Sequence, residues 1–136
     1  MKFELFISFN GNCREAMEFY AKVFKSEVLD VMKYSDAPAD PSEPMDPADA
    51  DKIMYAHVLI GDKNIMFCDM PSSIPAVVGN NFVPTINVES QEEVMRIFNE
   101  LKEGGESYME PQKIFFSECY GHVKDRFGII WNIMQH

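Results

Sequence analysis

The chain has 136 residues, 46% of them hydrophobic and 25% charged, the size and composition of one folded domain rather than of a disordered or fibrous polymer. Its formal net charge of −10 argues against a nucleic-acid or anionic-membrane partner, because binding a polyanion needs Lys and Arg to displace its counterions. No apolar run approaches the roughly 20 residues that cross a bilayer. The start, Met1-Lys2-Phe3-Glu4, lacks the basic, apolar and small-residue regions of a secretory leader, so a cytoplasmic location is expected.

Phe3, Leu5, Ile7 and Phe9 alternate with Glu4, Phe6 and Ser8, the period of a strand, and Asn10-Gly11 ends it. Asn12 stands three residues before Glu15, the spacing of a capping box. The helix it opens puts Ala16, Phe19, Tyr20, Val23 and Phe24 on one stripe. Val28 to Tyr34 reads as a second strand. From Tyr34 to Lys52 the character changes: Pro38, Pro41, Pro44 and Pro47 recur at every third position among Asp36, Asp40, Glu43, Asp46, Asp49 and Asp51. That pattern predicts an extended, solvated and mobile loop, with a flap over a pocket as one role for it. It lacks the spacing, central Gly and terminal Glu of an EF-hand.

Ile53 to Ile60 and Asn64 to Met70 are apolar strands joined by Gly61-Asp62-Lys63, a hairpin signal. Pro71 to Asn81 is a turn-rich connection, and Phe82 to Val88 is again strand-like. Ser90 and Glu93 form a second capping-box pattern, followed by a helix with Val94, Ile97, Phe98 and Leu101 on its inner stripe, ended by Gly104-Gly105. Three strands close the chain, near Glu106 to Met109, Ile114 to Val123 and Ile129 to Met134. Cys13, Cys68 and Cys119 are odd in number and show no CxxC spacing, which predicts reduced, buried thiols.

The halves repeat. Laying Asn12 on Ser90 also lays Glu15 on Glu93, Ala16 on Val94, Phe19 on Ile97, Tyr20 on Phe98 and Val23 on Leu101. A second overlay sets Ala56-His57-Val58 on Gly121-His122-Val123 and brings Phe67 onto Asn132. The expectation is an α+β fold of two tandem βαβββ modules, about 1–72 and about 80–136, within one domain of residues 1–136. One helix leaves the other face of its sheet unburied, and a curved mixed sheet around a cavity is one way to resolve that.

These residues have a relative. Phe9-Asn10-Gly11-Asn12-Cys13-Arg14-Glu15-Ala16 with Phe19-Tyr20 and Phe24, and the closing Tyr120-Gly121-His122-Val123 followed by Asp125-Arg126-Phe127-Gly128-Ile129-Ile130-Trp131, resemble PhnB-like members of the vicinal oxygen chelate superfamily. That superfamily holds glyoxalases, ring-cleaving dioxygenases and bleomycin-resistance proteins. The resemblance implies paired βαβββ modules (the glyoxalase-like fold) and, commonly, a homodimer.

It also implies where a divalent metal would sit in the active enzymes: one ligand from each module's first strand, usually His or Gln, and one from its last strand, usually Glu. Such an ion accepts two neighbouring substrate oxygens. Here those positions fall near Leu5 to Ile7, near Val83 to Thr85, on Asn132 and, by the overlay, on Phe67. Only Glu4 and Asp69 lie within a short slip, so no metal and no other cofactor is expected. Tyr55 stands where PhnB-like relatives more often show His. Asp125 and Gly128 read as turn residues. Trp131 reads first as core and second as a ligand platform. Cys119 and His122 lie three apart on a strand, on opposite faces, which argues against a nucleophilic pair.

The leading functional expectation is a pocket that binds a small organic molecule without transforming it. Its candidate lining is Phe6, Tyr55, His57, Phe67, Asp69, Phe116, Tyr120, His122, Trp131 and Asn132. The alternatives are a metal-dependent lyase, isomerase or dioxygenase of glyoxalase type, and a dimeric interaction module acting through the acidic loop. Some PhnB-like proteins are described as ubiquinone-pathway methyltransferases, but the chain has no glycine-rich loop after its first strand and no acid placed to hold a ribose.

Overall fold

The computed structural model describes all 136 residues, in two compact units, Met1–Val77 and Val78–His136. The first runs β1 (Leu5–Phe9), α1 (Cys13–Val23), β2 (Val28–Lys33), β3 (Ile53–Ile60) and β4 (Lys63–Asp69). The second runs β5 (Thr85–Val88), α2 (Gln91–Lys102), β6 (Glu106–Ile114), β7 (Ser117–Lys124) and β8 (Ile130–Gln135). Their open sheets have matching orders, β1-β4-β3-β2 and β5-β8-β7-β6, in which the first and last strands pair in parallel and the other pairs are antiparallel. This is the expected βαβββ arrangement, twice over. Neither helix is long and apolar enough to cross a membrane.

Each helix packs an apolar stripe on one face of its own sheet; in α1 the buried set is Cys13, Ala16, Met17, Tyr20, Ala21 and Val23, whereas the predicted Phe19 and Phe24 are half-buried and Phe24 lies past the helix end. Tyr20 of α1 is fully buried and stacks on Phe67 of β4 at 5.7 Å, with Phe9 of β1 beside them. Burying each such aromatic is worth roughly 1.5–3 kcal/mol. In α2 the predicted stripe, Val94, Ile97, Phe98 and Leu101, is the buried set. Phe98 lies so close to β7 that a Cβ added at Gly121 would stand 2.7 Å from its ring. The corresponding residue of the first unit, Ala56, carries a methyl there and is also fully buried. Cys13, Cys68 and Cys119 are free and buried, and burial pushes all three thiols up.

The caps depart from expectation. The Asn12 side chain gives α1 no cap bond; its oxygen accepts from Asn10 N instead. A distant residue does that work. Asp69, 1% exposed at the end of β4, accepts from Gly11 N at 2.7 Å and Cys13 N at 2.9 Å through one oxygen, and from Ile53 N at 3.0 Å through the other. Helix start, β3 start and β4 end therefore converge on one carboxylate. In α2 the Ser90 hydroxyl does accept from Glu93 N, but the Glu93 carboxylate turns to Arg96 rather than closing the box.

The acidic Pro-rich segment is more structured than expected. Residues 34–36 and 47–49 form short 3-10 turns. Asp49 is buried, accepting from the Ser72 hydroxyl and amide and pairing with Lys52 at 2.8 Å. The Lys52 ammonium, then the Ser72 donors, hold its carboxyl down at about 2. The Asn10 amide pins the connection after β4, exchanging two bonds with the backbone of Ala76.

Strand limits also shift. The strand predicted from Phe82 begins only at Thr85, and Phe82 is exposed. The strand predicted to end at Met109 continues to Ile114 as β6, leaving Phe115-Phe116 as a bare hairpin tip. Replacing Asp69→Asn sets an NH2 group against one of its three backbone donors, so urea unfolding should show about 1–3 kcal/mol lost. A loss below about 0.5 kcal/mol would mean the convergence on this side chain is incidental.

Candidate functional site

Because one helix covers only one face of each sheet, residues alternating along the strands divide into a helix side and a helix-free side. On the first sheet a row runs Phe6–Met66–His57–Leu29 across β1, β4, β3 and β2. On the second, the corresponding row runs Thr85–Asn132–His122–Met109 across β5, β8, β7 and β6. His57 and His122 thus hold the same position in the two sheets, as the second overlay anticipated. Asn132, however, corresponds to Met66, not to Phe67.

That correction moves three candidates off the site. Phe67 is wholly buried against α1. Asp69 lies on the same side with its oxygens committed to backbone donors. Trp131 is 2% exposed, and its indole N–H donates to Asp125 at 2.9 Å. The other Asp125 oxygen accepts from Phe127 N and Ile129 N, and Gly128 takes φ +89° in the same turn. Asp125 and Gly128 are turn residues, as read, and the carboxylate also serves to hold Trp131 in the core. Cys119 is buried on the helix side, with His122 on the other.

The remaining candidates group within each unit. In the first, Phe6 packs on Tyr55 at 6.4 Å, and the Tyr55 hydroxyl lies 3.3 Å from His57 Nδ1. His57 Nε2 faces the Asp30 carboxylate at 3.5 Å. Asp30 adopts φ +52° where the β2–β3 pairing slips, a conformation Asp tolerates better than most residues. Sequence inspection passed over Asp30; its only signal was an acid inside an apolar strand.

In the second unit Asn132 Oδ1 is the hub. The Tyr120 hydroxyl donates to it at 2.7 Å, and His122 Nδ1 lies 2.5 Å away. Asn132 Nδ2 points to Thr85 Oγ1 at 3.4 Å. Partial burial pushes the Tyr120 phenol up. Phe116 sets its edge on Tyr120 at 5.5 Å, and Tyr108 lies over His122 at 5.4 Å. Both outer rings are open to solvent, 54% and 45% exposed.

The first-strand and last-strand positions carry few groups that ligate a divalent cation. The parallel pairs that supply first-strand and last-strand positions are Phe6–Met66 and Thr85–Asn132 on the helix-free side, Ile7–Phe67 and Ile86–Ile133 on the other. In the first unit these offer only a thioether, and in the second a hydroxyl and one amide oxygen; neither set includes a carboxylate or an imidazole. No group of three or more His, Cys, Asp or Glu side chains comes together in a way that could hold an ion.

Comparison with known proteins shows the family and the fold. A family profile described as 3-demethylubiquinone-9 3-methyltransferase matches residues 1–134. Protein YjdN of Escherichia coli (strain K12) is 31% identical over 94% of this chain and 90% of its own. The crystal structure of PA1353 from Pseudomonas aeruginosa is 31% identical, covering 100% of this chain and 98% of that one, with a TM-score of 0.88. A PhnB protein from Bacillus cereus is 22% identical with both chains fully covered and a TM-score of 0.77. A glyoxylase/bleomycin resistance protein/dioxygenase domain from Frankia sp. EAN1pec is 14% identical over 99% and 96% of the chains, with a TM-score of 0.64. These last two share the fold.

In a neutral ring His122 Nδ1 must donate, because the Asn132 oxygen only accepts; in His57 the Asp30 carboxylate opposite Nε2 favours the proton there, which leaves Nδ1 to accept from Tyr55. Long-range 1H–15N spectra should therefore show a pyridine-type Nδ1 for His57 and a pyrrole-type Nδ1 for His122. Matching tautomers would contradict the assigned network.

Proposed function

The chain belongs to the protein family described as 3-demethylubiquinone-9 3-methyltransferase and has the glyoxalase-like fold; from that membership we propose that it binds a small organic molecule on the helix-free face of its second sheet, with no resident metal. The observation that carries this reading is the Tyr120–Asn132–His122 network, hydrogen-bonding groups set between exposed aromatic rings where superfamily enzymes would place a metal ligand. Few oriented polar groups among aromatics is the usual make-up of a small-molecule site. Methyl transfer, the activity in the family's description, gains no support from the architecture. Each sheet has only one parallel pair, and neither forms the doubly wound parallel sheet that cradles a nucleotide-like cofactor.

Protein purified without chelator should contain far less than one divalent ion per chain, and a thermal-shift screen of small metabolites and antibiotics should return a stabilising ligand. At 100 times its dissociation constant that ligand adds about 2.7 kcal/mol. A stoichiometric ion would instead favour the metal-dependent lyase, isomerase or dioxygenase reading.

We also propose a homodimer, the assembly the family resemblance implies. Its support here is the apolar side chains left exposed on edge strands, Leu29, Val31 and Met32 on β2 and Tyr108 and Met109 on β6. Sedimentation equilibrium should give about twice the 15.6 kDa of one chain, and a monomer at micromolar concentration would refute it.

A further inference from the structure

Two hydrogen bonds at the centre of the second sheet's free face converge on Asn132 Oδ1. An amide oxygen has two lone pairs, and Asn132 Oδ1 spends both, one on the Tyr120 hydroxyl and one on His122 Nδ1–H. Because that oxygen can only accept, a neutral His122 ring carries its proton on Nδ1 and leaves Nε2 as a bare acceptor. Tyr120 has given its only hydrogen and retains lone pairs. Asn132 Nδ2 is directed at Thr85 Oγ1, whose own hydrogen points to Val83 O. Besides the second Asn132 Nδ2 hydrogen, what this centre offers a newcomer is acceptors: His122 Nε2 and the Tyr120 oxygen.

The flanks add shape. Tyr108 and Phe116 stand on either side with exposed rings, a setting for a flat apolar body. Glu118 and Lys124, the next β7 residues on this face beyond Tyr120 and His122, carry opposite charges, and Glu118 is engaged by Lys113 at 2.9 Å. The directional feature is the acceptor pair.

Resting on the small-molecule reading above, we infer that the ligand of this face is a planar aromatic molecule carrying an N–H or O–H that donates to His122 Nε2. A ligand without that hydrogen would desolvate Nε2 and leave it unpaired, which costs more than the bond itself returns. Discrimination between donor and non-donor isosteres follows.

The test titrates the full chain with 2-naphthol and with 2-methoxynaphthalene, which differ in that one hydrogen. The expected result is tighter binding of 2-naphthol by about tenfold, loss of that preference in His122→Phe, and a shift of the His122 15Nε2 resonance on adding 2-naphthol only. Equal affinities, or a preference that survives in His122→Phe, overturn the donor inference while leaving the face as a binding surface. Absence of saturable binding by either probe overturns the small-molecule reading of this face as well. Should the variant not fold, the wild-type 15Nε2 response decides: a shift supports the bond to Nε2, and an unchanged resonance in the saturated protein refutes it.

Discussion

One helix cannot cover both faces of a four-stranded sheet. Four strands about 4.8 Å apart span about 14 Å between outer axes, and a single helix about 10 Å across shields one side of that width. In each unit the helix takes the side lined by Phe67, Ala56 and Val58, or by Trp131, Gly121 and Ile133, and these residues are buried. The opposite face receives whatever lies at the alternate positions. There the chain places Ser8, Tyr55 and His57 in one unit and Thr85, Tyr120, His122 and Asn132 in the other. Side chains with both a ring or stem and a polar tip suit a face that no helix of the unit covers. The division between core and candidate site is thus a consequence of helix count, enforced strand by strand through the two-residue period.

Each unit also needs a fastening that apolar packing does not supply, and the two solve this differently. Backbone N–H groups at a helix start have no partner within the helix. In the first unit Asn12 turns away and Asp69 reaches from β4 to take that role, so the end of the last strand becomes the anchor of α1. In the second unit Ser90 caps α2 directly, which frees the end of β8. The position facing Val88 there is Gln135, whose amide nitrogen donates to Glu89 O. The buried carboxylate appears instead at Asp125, closing the β7–β8 turn and fixing Trp131. The units are alike in topology and unlike in where the carboxylate that ties their last strand sits.

This explains what could be read from the sequence. The helix stripes were plain because a 3.6-residue period is local, and α2 buries the four residues its spacing singled out. Element order and the equivalence of His57 and His122 were also accessible, since both rest on short aligned segments. The Phe67–Asn132 match failed for a physical reason: β3 and β4 turn through Gly61-Asp62, whereas β7 and β8 are joined by the longer Asp125 turn. The longer turn displaces β8 by one residue relative to β7, and a one-residue slip exchanges the faces of a strand. Asp69 was misjudged because its partners, Gly11, Cys13 and Ile53, are remote in sequence and nothing in the residue type announces them. The acidic segment looked mobile because composition reports solvation, while the Asp49–Ser72–Lys52 clasp depends on a fold that brings β4's exit beside it.

The Asn132 hub also bears on the choice between ion and hydrogen-bonding ligand. A cation approaching Oδ1 would meet an oxygen whose lone pairs already hold the Tyr120 and His122 protons. It would have to displace both, and the residue paired with Asn132 on this face, Thr85, offers only a neutral hydroxyl. Both costs fall on one weak neutral donor. A ligand bringing its own hydrogen meets no such opposition: it takes the one ring nitrogen the network leaves open, and the two existing bonds hold that nitrogen in place. Pre-ordering the acceptor before the ligand arrives removes part of the entropy cost of binding, and it does so with side chains already fixed by the pairing of β5, β7 and β8.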